Sequence, residues 1–138
     1  MFFVLFLFCV YISFLKLDLH LYLLNSGVRP FGVALLICGH DETGFHLYQV
    51  DPSGSFWAWK ASAIGKGMLN AQSFLEKRYK PTDELEDSIN MAILTLKEAF
   101  EGEMDEKNVE IGVVDDVTKK FRVLSPSEVK DYLAEINQ

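Results

Sequence analysis

An α+β fold with its elements in the order β-β-β-α-α-β-β-α is predicted by three features of this sequence. Short runs of β-compatible residues bounded by turn residues sit at 31–38, 45–50 and 56–61. Apolar residues then recur at helical spacing over 68–79 and again over 85–100. Two further strand-like runs follow at 109–114 and 121–124, and a capped amphipathic segment begins at Ser125. Consecutive strands with helices gathered between them argue for segregated α+β layers rather than an alternating parallel sheet.

The first strand is introduced by Arg29-Pro30, extended because a residue before proline avoids the α region. Both alternating sets in 31–38 are apolar or small: Phe31, Val33, Leu35 and Ile37 against Gly32, Ala34, Leu36 and Cys38. A central strand covered on each side is expected. The polar run GHDETG at 39–44 reads as a loop into the strand 45–50. Asp51-Pro52-Ser53-Gly54 then makes a tight turn. Asp51 can bond its own backbone, Pro52 presets φ at the second position, and Gly54 suits the fourth. The returning strand puts Trp57 and Trp59 on one face and Phe56, Ala58 and Lys60 on the other. Gly65 and Gly67 supply the permissive backbone of a strand-to-helix turn.

In the first helix, Met68, Ala71, Leu75 and Tyr79 share a face. Lys77, Arg78 and Lys80 load its C-terminal turn, as the macrodipole prefers, and Pro81 stops it. Asp83 with Glu86 resembles a capping box for the second helix. Its stripe is Leu85, Ile89, Ala92, Ile93, Leu96 and Phe100, with Gly102 near the C-cap. The last helix opens with Ser125 as N-cap, Pro126 at the first helical position and Glu128 at the third. Val129, Tyr132, Leu133 and Ile136 give it an apolar face.

At 138 residues the chain is one domain at most. Its net charge of −7 argues against a nucleic-acid binder, which needs a basic patch. Cys9 and Cys38 lie in unlike contexts and suggest no disulfide framework.

Residues 1–26 are of another character. No charge occurs before Lys16, and apolar residues resume after Asp18 around His20. The charge-free part is shorter than the ~20 residues of a membrane-spanning helix. A signal peptide fits poorly, because no Lys or Arg precedes the apolar run. A helix buried in a soluble domain fits poorly too, for lack of a polar face. The abrupt change near Asn25-Ser26-Gly27 favours a segment foreign to the domain, from a misjoined or truncated reading frame. A membrane helix is the other reading.

The stretch YQVDPSGSFWAWKASAIG at 48–65, with RPFGVALL at 29–36 and FLEKRY at 74–79, resembles proteasome alpha-type subunits. ELEDSINMAILTLKEAFEG at 84–102 and SPSEVKDYLAEI at 125–136 narrow the resemblance to the second alpha type. It covers 27–138 as the family's C-terminal half, with the N-terminal half absent. The resemblance implies part of the four-layer αββα sandwich of the N-terminal-nucleophile hydrolases. It also implies a non-catalytic structural subunit of the core particle's outer ring, serving ubiquitin-dependent protein degradation in cytoplasm and nucleus, here as an incomplete chain. Implied partners are other alpha subunits and, for the intact family member, beta subunits and regulatory particles. No cofactor is implied.

Two other functions compete: an active threonine protease of the same fold, and a membrane-anchored fragment held by residues 1–26. The first needs an N-terminal threonine with a free amine. Thr43, Thr82, Thr95 and Thr118 are all internal, and Thr43 follows Glu42 instead of the glycine of the family's processing site. Cys38 and His40 offer two zinc ligands without the remaining pair a structural site needs. Gly65-Lys66-Gly67 lacks the phosphate-loop pattern. His20 and His46 have no evident carboxylate partner, and Lys60 reads as a lysine snorkelling from the sheet. No catalytic, cofactor or metal residue is expected.

Overall fold

The computed structural model describes residues 32–115 and 117–136. Residues 1–26, with the foreign-segment and membrane readings placed on them, lie outside the described residues. Among the described residues no helix is long and apolar enough to cross a membrane.

Strands β1 (Leu35–Asp41), β2 (Gly44–Val50) and β3 (Phe56–Trp59) form an antiparallel meander in that order. Helices α1 (Met68–Arg78) and α2 (Leu85–Ala99) follow and pack on each other. Strands β4 (Gly112–Val114) and β5 (Phe121–Val123) pair separately, and α3 (Pro126–Ile136) packs against α2. The class is α+β, in the predicted element order.

The meander departs from expectation at its first hairpin. Four residues expected in a loop are strand: Gly39, His40 and Asp41 pair with His46, Phe45 and Gly44, the last of which opens β2. Only Glu42 and Thr43 turn the chain. The reason is local, since the Asp41 carboxylate accepts the N–H and the hydroxyl of Thr43 and closes the turn within two residues. Nor is β1 central in the described sheet; β2 is. Leu35, Leu36, Ile37 and Cys38 are half-buried rather than covered on both faces.

The core lies elsewhere. Ile89 and Ile93 of α2, Val129 and Leu133 of α3, and Val109, Ile111, Val113 and Leu124 beside and within β4–β5 form one buried cluster. Leu96, Met104, Tyr132 and Ile136 pack onto it. The meander contributes none of the buried hydrophobic side chains.

The helix caps follow sequence in one case and not in the other. Ser125 and Glu128 exchange hydrogen bonds before α3: Ser125 N–H and hydroxyl donate to Glu128 Oε2 at 2.7 and 2.8 Å. The Glu128 N–H returns a longer bond to the Ser125 hydroxyl, 3.4 Å. The expected box at Asp83 is not made. Glu84 is the N-cap of α2, without a side-chain cap bond, because the helix starts one residue beyond the register that box requires. In α1 only Ala71 of the expected face is buried; Met68 and Tyr79 lie exposed.

Candidate functional site

The polar constellation that sequence reading missed is at the β1–β2 tip. Asp41 Oδ1 accepts the Thr43 N–H at 2.7 Å and its hydroxyl at 2.6 Å. His46 Nε2 lies 3.0 Å from the same oxygen and 2.8 Å from Thr43 Oγ1. His46 therefore does have a carboxylate partner. The pairing follows from register: with Asp41 across from Gly44, it shares a face with His46 two positions along. The D-x-T spacing of an Asx turn was the available signal.

The arrangement fixes a proton. The Thr43 hydroxyl hydrogen is spent on Asp41, so Thr43 Oγ1 and Asp41 Oδ1 can both only accept from His46. Nε2 must carry hydrogen, because a bare lone pair there would face a carboxylate oxygen. The Thr43 hydroxyl, then its N–H, then His46 hold the Asp41 carboxyl down to about 2.

Threonine, histidine and aspartate together suggest a nucleophile triad, but the geometry is not one. In a triad the imidazole bridges hydroxyl and carboxylate through different nitrogens, accepting from the hydroxyl with the lone pair of one. Here one nitrogen faces both and donates. The Thr43 nitrogen is moreover an amide whose N–H points at Asp41, not a free amine. The cluster is a structural clip.

The second hairpin turn runs through Asp51, Pro52, Ser53 and Gly54. Gly54 donates its N–H to the Asp51 carbonyl at 3.0 Å, and Asp51 donates to the Ser55 carbonyl at 3.0 Å. Asp51 Oδ1 accepts the Ser53 N–H at 2.8 Å and its hydroxyl as well. Those bonds, the hydroxyl foremost, lower the Asp51 carboxyl below its ordinary range. Pro52 is exposed and Gly54 is buried with φ +82°.

At the strand-to-helix turn, the Gly65 carbonyl accepts the Met68 N–H at 3.2 Å. Gly67 caps α1 in a left-handed conformation, and its carbonyl accepts the N–H groups of Asn70 and Ala71 at 3.1 Å. Because β1 reaches Asp41, Cys38 and His40 do share a face, and the His40 ring meets Phe45 edge-on at 4.8 Å. Among the described residues no group of three or more His, Cys, Asp or Glu is placed to hold a metal.

Exposed aromatic side chains gather on the meander. Phe45, Trp57 and Trp59 lie on one face of the meander at 54%, 47% and 47% exposure. Tyr48 and Phe56 lie on the other, rings 6.2 Å apart, with Phe56 46% exposed. Contiguous apolar surface of this kind marks a face built to be covered.

A family model for proteasome subunits matches residues 12–114. The chain belongs to the proteasome subunit family. With that membership comes the N-terminal-nucleophile hydrolase fold, in keeping with the α+β elements described. The match opens inside the apolar stretch that precedes the meander. This proteasome family chain is 61% identical over 112 residues to proteasome subunit alpha type-2-A of Arabidopsis thaliana. It is 57% identical over 112 residues to alpha type-2 of Oryza sativa subsp. japonica, and 55% over 115 to that of Drosophila melanogaster. Those stretches take in 81%, 81% and 83% of this chain, but 47%, 47% and 48% of the respective relatives. The chain thus spans about half the length of the curated relatives it matches.

Proposed function

We propose that this chain is a non-catalytic, structural subunit of the outer, alpha-type ring of the proteasome core particle. Its work is binding, in the service of ubiquitin-dependent protein degradation in cytoplasm and nucleus. Other alpha subunits are its neighbours in the ring, with beta subunits and regulatory particles as further partners. The observation that carries this reading is the 53–61% identity to relatives named alpha type-2 in plants, Dictyostelium and Drosophila. Two features of the molecule support it. The aromatic faces of the meander suit a protein that buries its surface in a larger body. The threonine best placed beside a histidine and a carboxylate, Thr43, has its nitrogen locked in an amide.

In this reading Asp51, Pro52, Ser53 and Gly54 are scaffold, setting the second hairpin. Gly65 and Gly67 are scaffold too, passing the chain from sheet to helix. The test is recovery of the tagged chain in purified core particles. It is expressed alone, and also together with a polypeptide matching the part of the alpha type-2 relatives that it does not span. Recovery with other alpha subunits in the second condition is expected. Absence from particles in both would overturn the proposal.

A further inference from the structure

The β1–β2 hairpin has an ambiguity that its apolar residues do not resolve. Leu36, Cys38, Phe45 and Leu47 line one face; Leu35, Ile37, Tyr48 and Val50 line the other. In a sheet with one buried face, a one-residue slip carries the apolar set into water, so burial fixes the register. Here a slip exchanges one apolar set for another. Burial does not choose.

The polar residues at the tip do. Asp41, Thr43 and His46 meet only when Asp41 stands across from Gly44 and Gly39 across from His46. Slipping β1 by one residue in either direction sends the Asp41 side chain to the face opposite His46. The bonds from His46 to Asp41 and Thr43 are then lost. We propose that Asp41, Thr43 and His46 form a register lock for the β1–β2 hairpin. The lock determines that Leu36 and Cys38, rather than Leu35 and Ile37, join the face of Trp57 and Trp59. It does so because β2 carries Leu47 and Gln49 across from those tryptophans.

The groups around His46 are few. Asp41 lies on β1, Glu42 in the turn, and the Tyr48 ring stacks 6.1 Å away on β2. Lys60 follows the last residue of β3, Trp59, which pairs with Leu47 next to His46. Of these charges, only Asp41 bonds to His46, and only Asp41 changes face with the slip.

Disulfide trapping in the full chain tests the lock, with Cys9→Ser and Cys38→Ala as background. Leu36→Cys is paired with Gln49→Cys for the observed register, and with Tyr48→Cys or Val50→Cys for the two slips. The observed pair should oxidise about tenfold faster than either slipped pair, since thiols one residue out point to opposite faces. In Thr43→Val that preference should shrink to about twofold or less, and Thr43→Ser should keep it. If Thr43→Val weakens all three pairs and Thr43→Ser restores them, the hydroxyl bond is needed for pairing itself, which also supports the lock. A preference unchanged in both Thr43→Val and Asp41→Asn overturns the proposal. So does a loss that Thr43→Ser fails to repair, because side-chain size rather than hydrogen bonding would then be responsible.

Discussion

Gly67 and Ala99 meet without room for a side chain: a β-carbon on Gly67 would stand 2.6 Å from the Ala99 carbonyl oxygen and 3.2 Å from its Cβ. The start of α1 is thereby set against the end of α2. Gly67 also has φ +75°, where an L-residue is strained. Gly67→Ala should cost about 3 kcal/mol or more, combining backbone strain with a clash against main chain. Gly44→Ala is the control, with φ +123° and nothing within 4 Å of its β-carbon. It should cost only the strain, about 1–2 kcal/mol. Denaturant midpoints followed by helical circular dichroism check the order. Equal costs would show that the end of α2 yields easily.

Acid should act on α3 through its cap. The Ser125 N–H and hydroxyl, then Arg122 at 2.9 Å, hold the Glu128 carboxyl down to about 2 from an ordinary 4.5. The folded value is below the unfolded one, so the stabilisation is complete above pH 4.5 and fades as pH falls toward 2. Ser125→Ala removes one of the donors and should move the Glu128 titration upward while fraying the first turn of α3. Carboxyl carbon shifts recorded across the acid range read this directly. A Glu128 curve that stays put in Ser125→Ala would mean the hydroxyl contributes nothing.

Peptide hydrolysis should be absent. Fluorogenic peptides incubated with the purified chain should remain uncleaved, and a threonine-directed covalent probe should leave Thr43 unlabelled. Its nitrogen is an amide and its hydroxyl is bonded to Asp41. Labelling of Thr43, or turnover that persists after contaminating proteasome is removed, would require a base that the clip does not provide.

Protection from hydrogen exchange should divide the chain into two tiers. Amides of α2, α3 and β4–β5 surround the buried cluster and should exchange slowest. Those of β1–β3 carry half-exposed aromatics and should exchange faster, with dye-detectable apolar surface on the same strands. Uniform protection across both tiers would refute this division.

Sequence revealed most where the controlling chemistry is local. Ser125, Pro126 and Glu128 specify a cap within four residues, and Asp51 to Gly54 specify a turn within the same span. The cap is built as its residues suggest. The β1–β2 tip was opaque because GHDETG has the composition of a loop, while its pairing depends on residues across the hairpin. Until the register is known, nothing in the sequence joins His46 to Asp41. Met68 and Tyr79 failed for a different reason. Helical spacing identifies a face, but whether anything covers it depends on the neighbours α1 meets. Asp83 and Glu86 show how little separates a cap from a near miss, since a helix that starts one residue later takes both carboxylates out of the register the box requires.

The placement of the core at the carboxyl side has a consequence for biosynthesis. At roughly 5–20 residues per second, several seconds separate the emergence of Trp59 from that of Leu133, the last member of the buried cluster. Throughout that interval the nascent meander offers Phe45, Trp57 and Trp59 to its surroundings before the cluster can form. A chain stalled on the ribosome within that window should bind an apolar dye through its meander, and lose part of that binding once Leu133 has emerged.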